Sequence, residues 1–384
     1  MISCRPSKWR AGISANRILL AAVSARPFVR AAADAGYEVV AFDIFNDMDT
    51  RAAAAEHRRI RFADGGFEAE DFWQQFCDAG LRPVDGFVYG SGFETQPELL
   101  ARVADRCLLL GNKPEVLALL KDPRRFFPLL DSLGIDHPQV RFAPPVESQE
   151  WLVKSGGGSG GVHVRRMSDD TAPAAGRYFQ RLAAGRPVSV LFLADGKEAQ
   201  IVGYSEQWVA PDDAGMPFRY GGAVSNIVLP AAVAARIAQS VARLVEATGL
   251  RGSNSLDCMV EGEMVRVLEV NPRLSATFDL YQPTGPCNLF ELHVRACKGQ
   301  LDPLPPIARG AKAHRIVYAK HDIEISAGMD WPAWAADLPP PNNKINKNEP
   351  VCTVMASAAT ADQAAALVHA RASQLERALN SFLN

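Results

Sequence analysis

The chain has 384 residues, 48% hydrophobic and 22% charged, with a formal net charge of -2. This near-neutral composition belongs to a globular chain long enough for two or three domains, and with Lys and Arg scattered it excludes the basic footprint of a nucleic-acid binder. Seven cysteines without a Cys-x-x-Cys pair read as reduced thiols of a cytoplasmic protein, and no apolar stretch is long enough to suggest a membrane span.

Residues 1–16 are expected to be a flexible extension. Arg5, Lys8, Arg10 and Arg17 ahead of an apolar run at 18–23 imitate the start of a secretory leader, but the run is short and flows into strand, turn and amphipathic helix without a processing boundary. From 17 to 110, apolar strands (18–23, 38–42, 86–89) alternate with helices (27–35, 67–79, 97–104), which predicts a small Rossmann-like parallel sheet. Ligands of such sheets sit beyond the carboxyl ends of the strands, so Ser24, Asp43 and the 90–94 turn either face a site or are ordinary polar loop tips. Residues 111–195 read as two linker helices split at Lys121-Asp122-Pro123, followed by a small α+β lid. In the lid, strands flank a glycine-rich run, with a helix at 172–182 and a strand at 188–193. Residues 196–384 read as a C-terminal α+β unit. It starts with a returning strand at 200–204, a helix at 231–248, and strands at 254–260 and 264–270 about a Glu261-Gly262 turn; strands at 313–318 and 351–356 and a helix from Ala361 complete it.

Two patterns carry chemistry. Between Trp151 and Val164, an apolar strand with one lysine, Lys154, runs into Gly156, Gly157, Gly158, Ser159, Gly160 and Gly161, with a further strand expected at 162–164. Glycines let successive backbone N–H groups turn toward an anion without Cβ clashes, and the lysine adds positive charge. That describes a phosphate cradle, although the same composition describes a passive linker. Because a strand and not a helix follows, the loop is expected to be a mobile flap, poorly ordered without nucleotide and closing over it. The second pattern is Asp257 on one strand, with Glu269, Asn271 and Arg273 ending the next. Glu269 and Asn271 alternate onto one face, and pairing about the hairpin turn places Asp257 opposite Glu269 or one pair away. Two carboxylates and an amide oxygen there make a hard magnesium site that keeps water and takes phosphate oxygens as further ligands.

Together these residues resemble the ATP-grasp superfamily over nearly the whole chain, from about Arg17 onward. The resemblance rests on the βαβ region, Lys121-Asp122, Lys154 with its glycine loop, Gln180 ahead of a strand entry, and the 268–273 run ending in Arg273. The spacing from Asp257 to Glu269 is similar to that of the metal carboxylates in biotin carboxylase relatives. The resemblance implies an ATP-grasp fold of mixed α/β and α+β class, with a pre-grasp domain, a lid and a C-terminal grasp subdomain. ATP and one or two Mg2+ ions are the implied cofactors, with Mn2+ able to substitute. It also implies that Lys154 contacts the α and β phosphates and that the glycine loop closes over the β and γ phosphates. The Gln180, Arg181, Leu182 and Ala183 hinge would receive adenine, chiefly through backbone groups, while Asp257, Glu269 and Asn271 bind the metal. Arg273 would stabilise charge during phosphoryl transfer, or else form a structural salt bridge to Glu269. Relatives often place a basic phosphate contact one residue after the aspartate matching Asp122, where this chain has Pro123, so Lys121 or Arg124 is left to supply it. Many have glutamate where this chain has Gln180.

The implied reaction converts a small-molecule carboxylate to an acylphosphate that an amine captures, releasing ADP and phosphate without a nucleophilic side chain. His163 either touches a phosphate or lies on the lid surface. Ser275, Thr277, Asp279 and Tyr281, alternating after Arg273, and Arg219 with Tyr220 are candidate substrate contacts or plain surface. A bicarbonate-using carboligase is one alternative, although the chain has no Met-Lys-Met biotinylation site and would need a separate carrier. A nucleotide-binding regulator is another, against which the complete metal set argues. The 93–99 and 269–273 stretches look like a branch found beside one-carbon-carrier pathways, with tyramine-glutamate ligases near in architecture. Glutamate addition to a pterin- or furan-type cofactor is the reaction this suggests. A homodimer is compatible with the sequence, and no nucleic-acid or membrane partner is expected.

Overall fold

A computed structural model of the chain describes residues 17–146, 150–168, 176–211, 215–285 and 287–381. The expected 1–16 extension lies outside them. Among the described residues, strands Glu56–Arg59, Glu38–Asp43, Arg17–Ala21, Gly86–Tyr89 and Leu108–Leu109 lie side by side in that order as a parallel sheet. Its central strands are apolar on both faces, as a doubly covered parallel sheet requires. Ile18, Leu20, Val39, Ala41 and Val88 pack toward Leu191, Leu193 and Phe290 of the C-terminal part. Leu19, Ala21, Val40, Phe42 and Phe87 pack instead into a phenylalanine-rich core with Phe67, Phe72, Phe76 and Phe93. The Pro97–Ala104 helix has the expected bounds, while a short helix at Met48–Ala53 and a hairpin at 62–67 were not anticipated.

The lid is a four-stranded antiparallel sheet in the order Arg165–Arg166, Trp151–Ser155, Arg177–Arg181, Val140–Arg141. Two expectations are corrected here. The helix expected at 172–182 is a strand over Arg177–Arg181, whose Phe179 is buried against Trp151 and Val153; residues 172–175 lie outside the described ones. The strand expected at 162–164 is a turn, and pairing resumes at Arg165–Arg166. Gly160 and Gly161, at φ of 64° and 70°, bend the chain just ahead of the segment where extended backbone was expected.

Apart from Ile323–Glu324, which pairs separately with Lys344–Ile345, eight further strands form an antiparallel sheet. Its order is Met264–Asn271, Arg251–Glu261, Arg186–Asp195, Ala199–Val209, Tyr220–Val224, Ala311–Tyr318, Pro350–Ala358 and Ala335–Ala336. The Arg186–Asp195 strand, read with the lid from sequence, is hydrogen-bonded in the middle of this large sheet. Helices Ala231–Thr248 and Ala361–Ser381 and the two linker helices Pro114–Lys121 and Pro123–Ser132 cover it. No described helix is long and apolar enough to cross a membrane.

Asn112 joins the N-terminal sheet to the large one. Its amide nitrogen donates to Asn254 Oδ1 at 2.7 Å and Pro272 O at 2.9 Å, and its oxygen accepts from Arg251 N at 2.7 Å. The buried Tyr89 hydroxyl lies 2.9 Å from Asn112 O and 3.2 Å from Pro272 O.

Candidate active site

The floor of the site is the hairpin of the large sheet. Its register sets Asp257 directly opposite Glu269 and Ser255 opposite Asn271, with a bulge just after Asp257. Paired residues on antiparallel strands share a face, so Asp257, Glu269 and Asn271 project together. Lys121, the last residue of its helix, reaches over them: its Nζ donates to Glu269 Oε2 at 3.1 Å and to Asn271 Oδ1 at 2.8 Å. Asn271 Nδ2 donates to Asp257 Oδ2 at 3.0 Å, while Asp257 Oδ1 is buried without a hydrogen-bond partner. Burial, and then the Glu269 charge, push the Asp257 carboxyl up to about 7. Burial acts on Glu269 in the same direction, but Lys121, Lys154 and His163 outweigh it and hold that carboxyl below the usual range. The donor set fits a hard divalent cation: the orphaned Asp257 oxygen and the facing Glu269 carboxylate offer hard oxygens on one face of the hairpin. Among the described residues no third carboxylate, histidine or cysteine joins them, so water or phosphate oxygens complete such a shell.

The roof is the lid sheet. Lys154 pairs with Tyr178, and Leu152 with Gln180, so all four side chains lie on one face. Burial lowers the Lys154 pKa, against the opposing pull of Glu269 and Asp257. Gln180 is 1% exposed, and neither its amide nitrogen nor its oxygen has a partner. Arg181 points the other way, to Glu150, and the exposed Leu182 donates its N–H to Glu150 O, with Ala183 half-buried beside it. Arg124 lies over the Phe142 ring, away from the floor, whereas Lys121 is inside the site.

The glycine loop sits down between roof and floor. Gly157 N–H donates to Lys121 O at 3.2 Å, and Tyr220 N–H donates to Gly160 O at 2.9 Å. A Cβ on Gly161 would lie 1.9 Å from Phe218 O, and one on Gly158 2.2 Å from the His163 ring. His163 therefore turns inward, and with Lys121, Gly156, Gly157, Gly158, Tyr178 and Glu269 it lines a cavity of about 30 Å³. That space suits a water and not a nucleotide, so the loop must lift to admit one.

Arg273 does not pair with Glu269. Its Nε donates to Glu94 Oε1 at 2.9 Å, from the turn after the Gly86–Tyr89 strand. Of the candidate substrate residues, Ser275 and Thr277 are buried, with hydroxyls 3.2 Å apart, and Asp279 binds Arg26. The alternation expected along 275–281 is broken by a 3-10 helix at Ala276–Leu280, which sends Tyr281 into the core to meet Ser205 at 2.7 Å. Arg219 is buried over the Tyr318 ring and donates to Asn348 O at 2.9 Å; the Tyr220 hydroxyl lies 2.7 Å from His314 Nε2. Sequence reasoning passed over Asn112, and it placed Glu94 in a turn that either faces a site or is an ordinary loop tip, without pairing it with Arg273.

Residues 121–277 match the model of the ATP-grasp domain, a span that opens on Lys121 and closes on Thr277. The chain carries an ATP-grasp domain and has the ATP-grasp fold. Over 231 residues it is 27% identical to the carbamoyl phosphate synthase large chain of Rubrobacter xylanophilus, covering 53% of this chain but only 21% of that protein. Biotin carboxylase of Campylobacter jejuni superposes with a TM-score of 0.69 at 13% identity, over 91% of this chain and 89% of its own. L-amino acid ligase of Bacillus licheniformis does so with a TM-score of 0.64 at 14% identity, over 92% of this chain and 96% of its own.

Proposed function

We propose that the protein is an ATP-dependent, ADP-forming ligase that activates a carboxylate as an acylphosphate and joins it to an amine. The observation that carries this reading is one cluster: Lys121 and Glu269 line a small cavity with Gly156, Gly157 and Gly158, Asn271 joins Lys121 to Asp257 and Arg273 at the floor, and Lys154 lies within reach of the Glu269 and Asp257 charges. Lys121 and Lys154 neutralise phosphate charge from opposite sides, and the orphaned Gln180 amide offers a donor and an acceptor for the adenine edge. A magnesium ion held by Asp257, Glu269 and Asn271 would supply further neutralisation of the triphosphate. With the loop closed, water is excluded and the substrate carboxylate attacks the γ phosphorus, breaking the bond to the β-phosphate oxygen. The amine then displaces phosphate from the acyl carbon. Ser275, Thr277, Asp279, Arg219 and Tyr220 would contact those two substrates.

The test is ADP and phosphate release from Mg-ATP across panels of carboxylates and amines. Glutamate with pterin- and furan-type acceptors is the arm favoured by the one-carbon-branch resemblance, and bicarbonate is a further arm. Amine-dependent ADP formation is expected, abolished in Glu269→Gln. Formation of AMP and pyrophosphate would overturn the acylphosphate route.

A further inference from the structure

The charge partner of Arg273 comes from the other domain. We propose that Glu94 is the positioning residue that sets the Arg273 guanidinium for phosphoryl transfer and seats the tip of the glycine flap beside it; this rests on the ligase reading above. Glu94 is 4% exposed and both its carboxylate oxygens are committed: Oε1 accepts from Arg273 Nε at 2.9 Å and Oε2 from Gly92 N at 2.6 Å. The Gly92 contact ties the carboxylate to the N-terminal sheet. Gly92 itself has φ 118°, and a Cβ there would lie 2.5 Å from the Phe67 ring, so the turn has one shape.

Arg273 also donates to Leu274 O at 3.2 Å and to Asn271 Oδ1 at 3.1 Å. Three of the five N–H groups of a guanidinium are thereby engaged, and two are left for oxygens of a reacting phosphoryl group. Because Glu94 takes the charge, Glu269 is spared an arginine and keeps its carboxylate for the floor of the site. The same turn meets the flap. A Cβ on Gly157 would lie 3.0 Å from Glu94 O and 2.8 Å from Thr95 Cγ2, so the backbone of this turn is the wall on which the flap tip rests.

Two variants separate positioning from bulk stability. Glu94→Gln keeps shape and one acceptor but removes the charge; Glu94→Asp keeps the charge and withdraws it by one methylene. In the panel assay, both are expected to lower kcat about 10- to 100-fold, with KM for Mg-ATP and its Kd by calorimetry within about threefold of wild type. Adding Glu94→Gln to Arg273→Lys should cost no more than Arg273→Lys alone. Independently of turnover, wild-type protein with 15N-arginine should show a slowly exchanging Nε–H signal by NMR that is lost in Arg273→Lys and exchanges at least about tenfold faster in Glu94→Gln. Unchanged kcat in both variants, or a loss of Mg-ATP affinity in proportion to kcat, would overturn the proposal. Wild-type protein that releases no ADP with any panel member overturns the ligase reading; unchanged Nε–H exchange in Glu94→Gln overturns the Glu94 assignment by itself.

Discussion

Gln180 is a buried primary amide with neither end satisfied, an arrangement that costs stability unless a ligand completes it. Gln180→Leu is therefore expected to leave the melting temperature unchanged or higher, while weakening ATP binding roughly tenfold, the equivalent of one hydrogen bond of about 1.4 kcal/mol. Isothermal calorimetry beside a thermal melt reads both, and undiminished affinity would remove the amide from nucleotide recognition. Asp257 makes a prediction of opposite kind. Its folded pKa, pushed up to about 7 by burial and Glu269, lies above the value of an exposed aspartate, so between about pH 4 and 7 the metal-free native state holds a proton that the unfolded chain has lost. Stability of metal-free protein should fall as pH rises through that window, and Mg2+ affinity should fall as pH drops below 7, because proton and metal compete for one carboxylate. Asp257→Asn flattens both dependences. Melting curves from pH 4 to 8 in chelator and in Mg2+ check this, and a metal-free protein that gains stability from pH 5 to 7 by an amount that vanishes in Asp257→Asn contradicts it.

At the scale of the element, the flap is defined by where side chains cannot go. Gly161 combines φ 70° with a would-be Cβ 1.9 Å from Phe218 O, so Gly161→Ala cannot adopt the seated geometry without moving the loop. Turnover should fall by about 10- to 100-fold while global unfolding changes by no more than about 1 kcal/mol, since the loop lies outside the hydrophobic cores. Full ADP release from Gly161→Ala would show that the seated form plays no part in the reaction. The elements also explain what could be read from the sequence. Asp257, Glu269 and Asn271 were legible because a tight hairpin turns sequence spacing into spatial pairing. The 172–182 helix was misread because Arg177, Phe179 and Arg181 alternate on a strand whose partner, Trp151–Ser155, lies across the glycine loop. The alternation after Arg273 failed because the 3-10 helix at Ala276–Leu280 has a period nearer three than two. The 90–94 turn could be read as facing a site, but the pairing of Glu94 with Arg273 was out of reach, since it spans 179 residues and no local pattern encodes it.

At the scale of the whole molecule, the parallel sheet and the large antiparallel sheet are joined by a shared polar group that closes several hydrogen bonds at once. Asn112 serves Asn254, Pro272 and Arg251 together. Asn112→Ala removes these bonds in a buried setting and is expected to cost about 2–4 kcal/mol of unfolding free energy. A drop in the urea midpoint measures it, and a change below about 0.5 kcal/mol would mean that the sheets are joined by their apolar contact alone. The latch on the flap is of another sort. The bond from Tyr220 N–H to Gly160 O runs from main chain to main chain, so it does not depend on which side chains occupy 219 and 220. On the proposed ligase reading, selection can rewrite those two side chains to suit a different acceptor while the loop keeps its closing contact, which uncouples the evolution of what is accepted from the mechanics of closure.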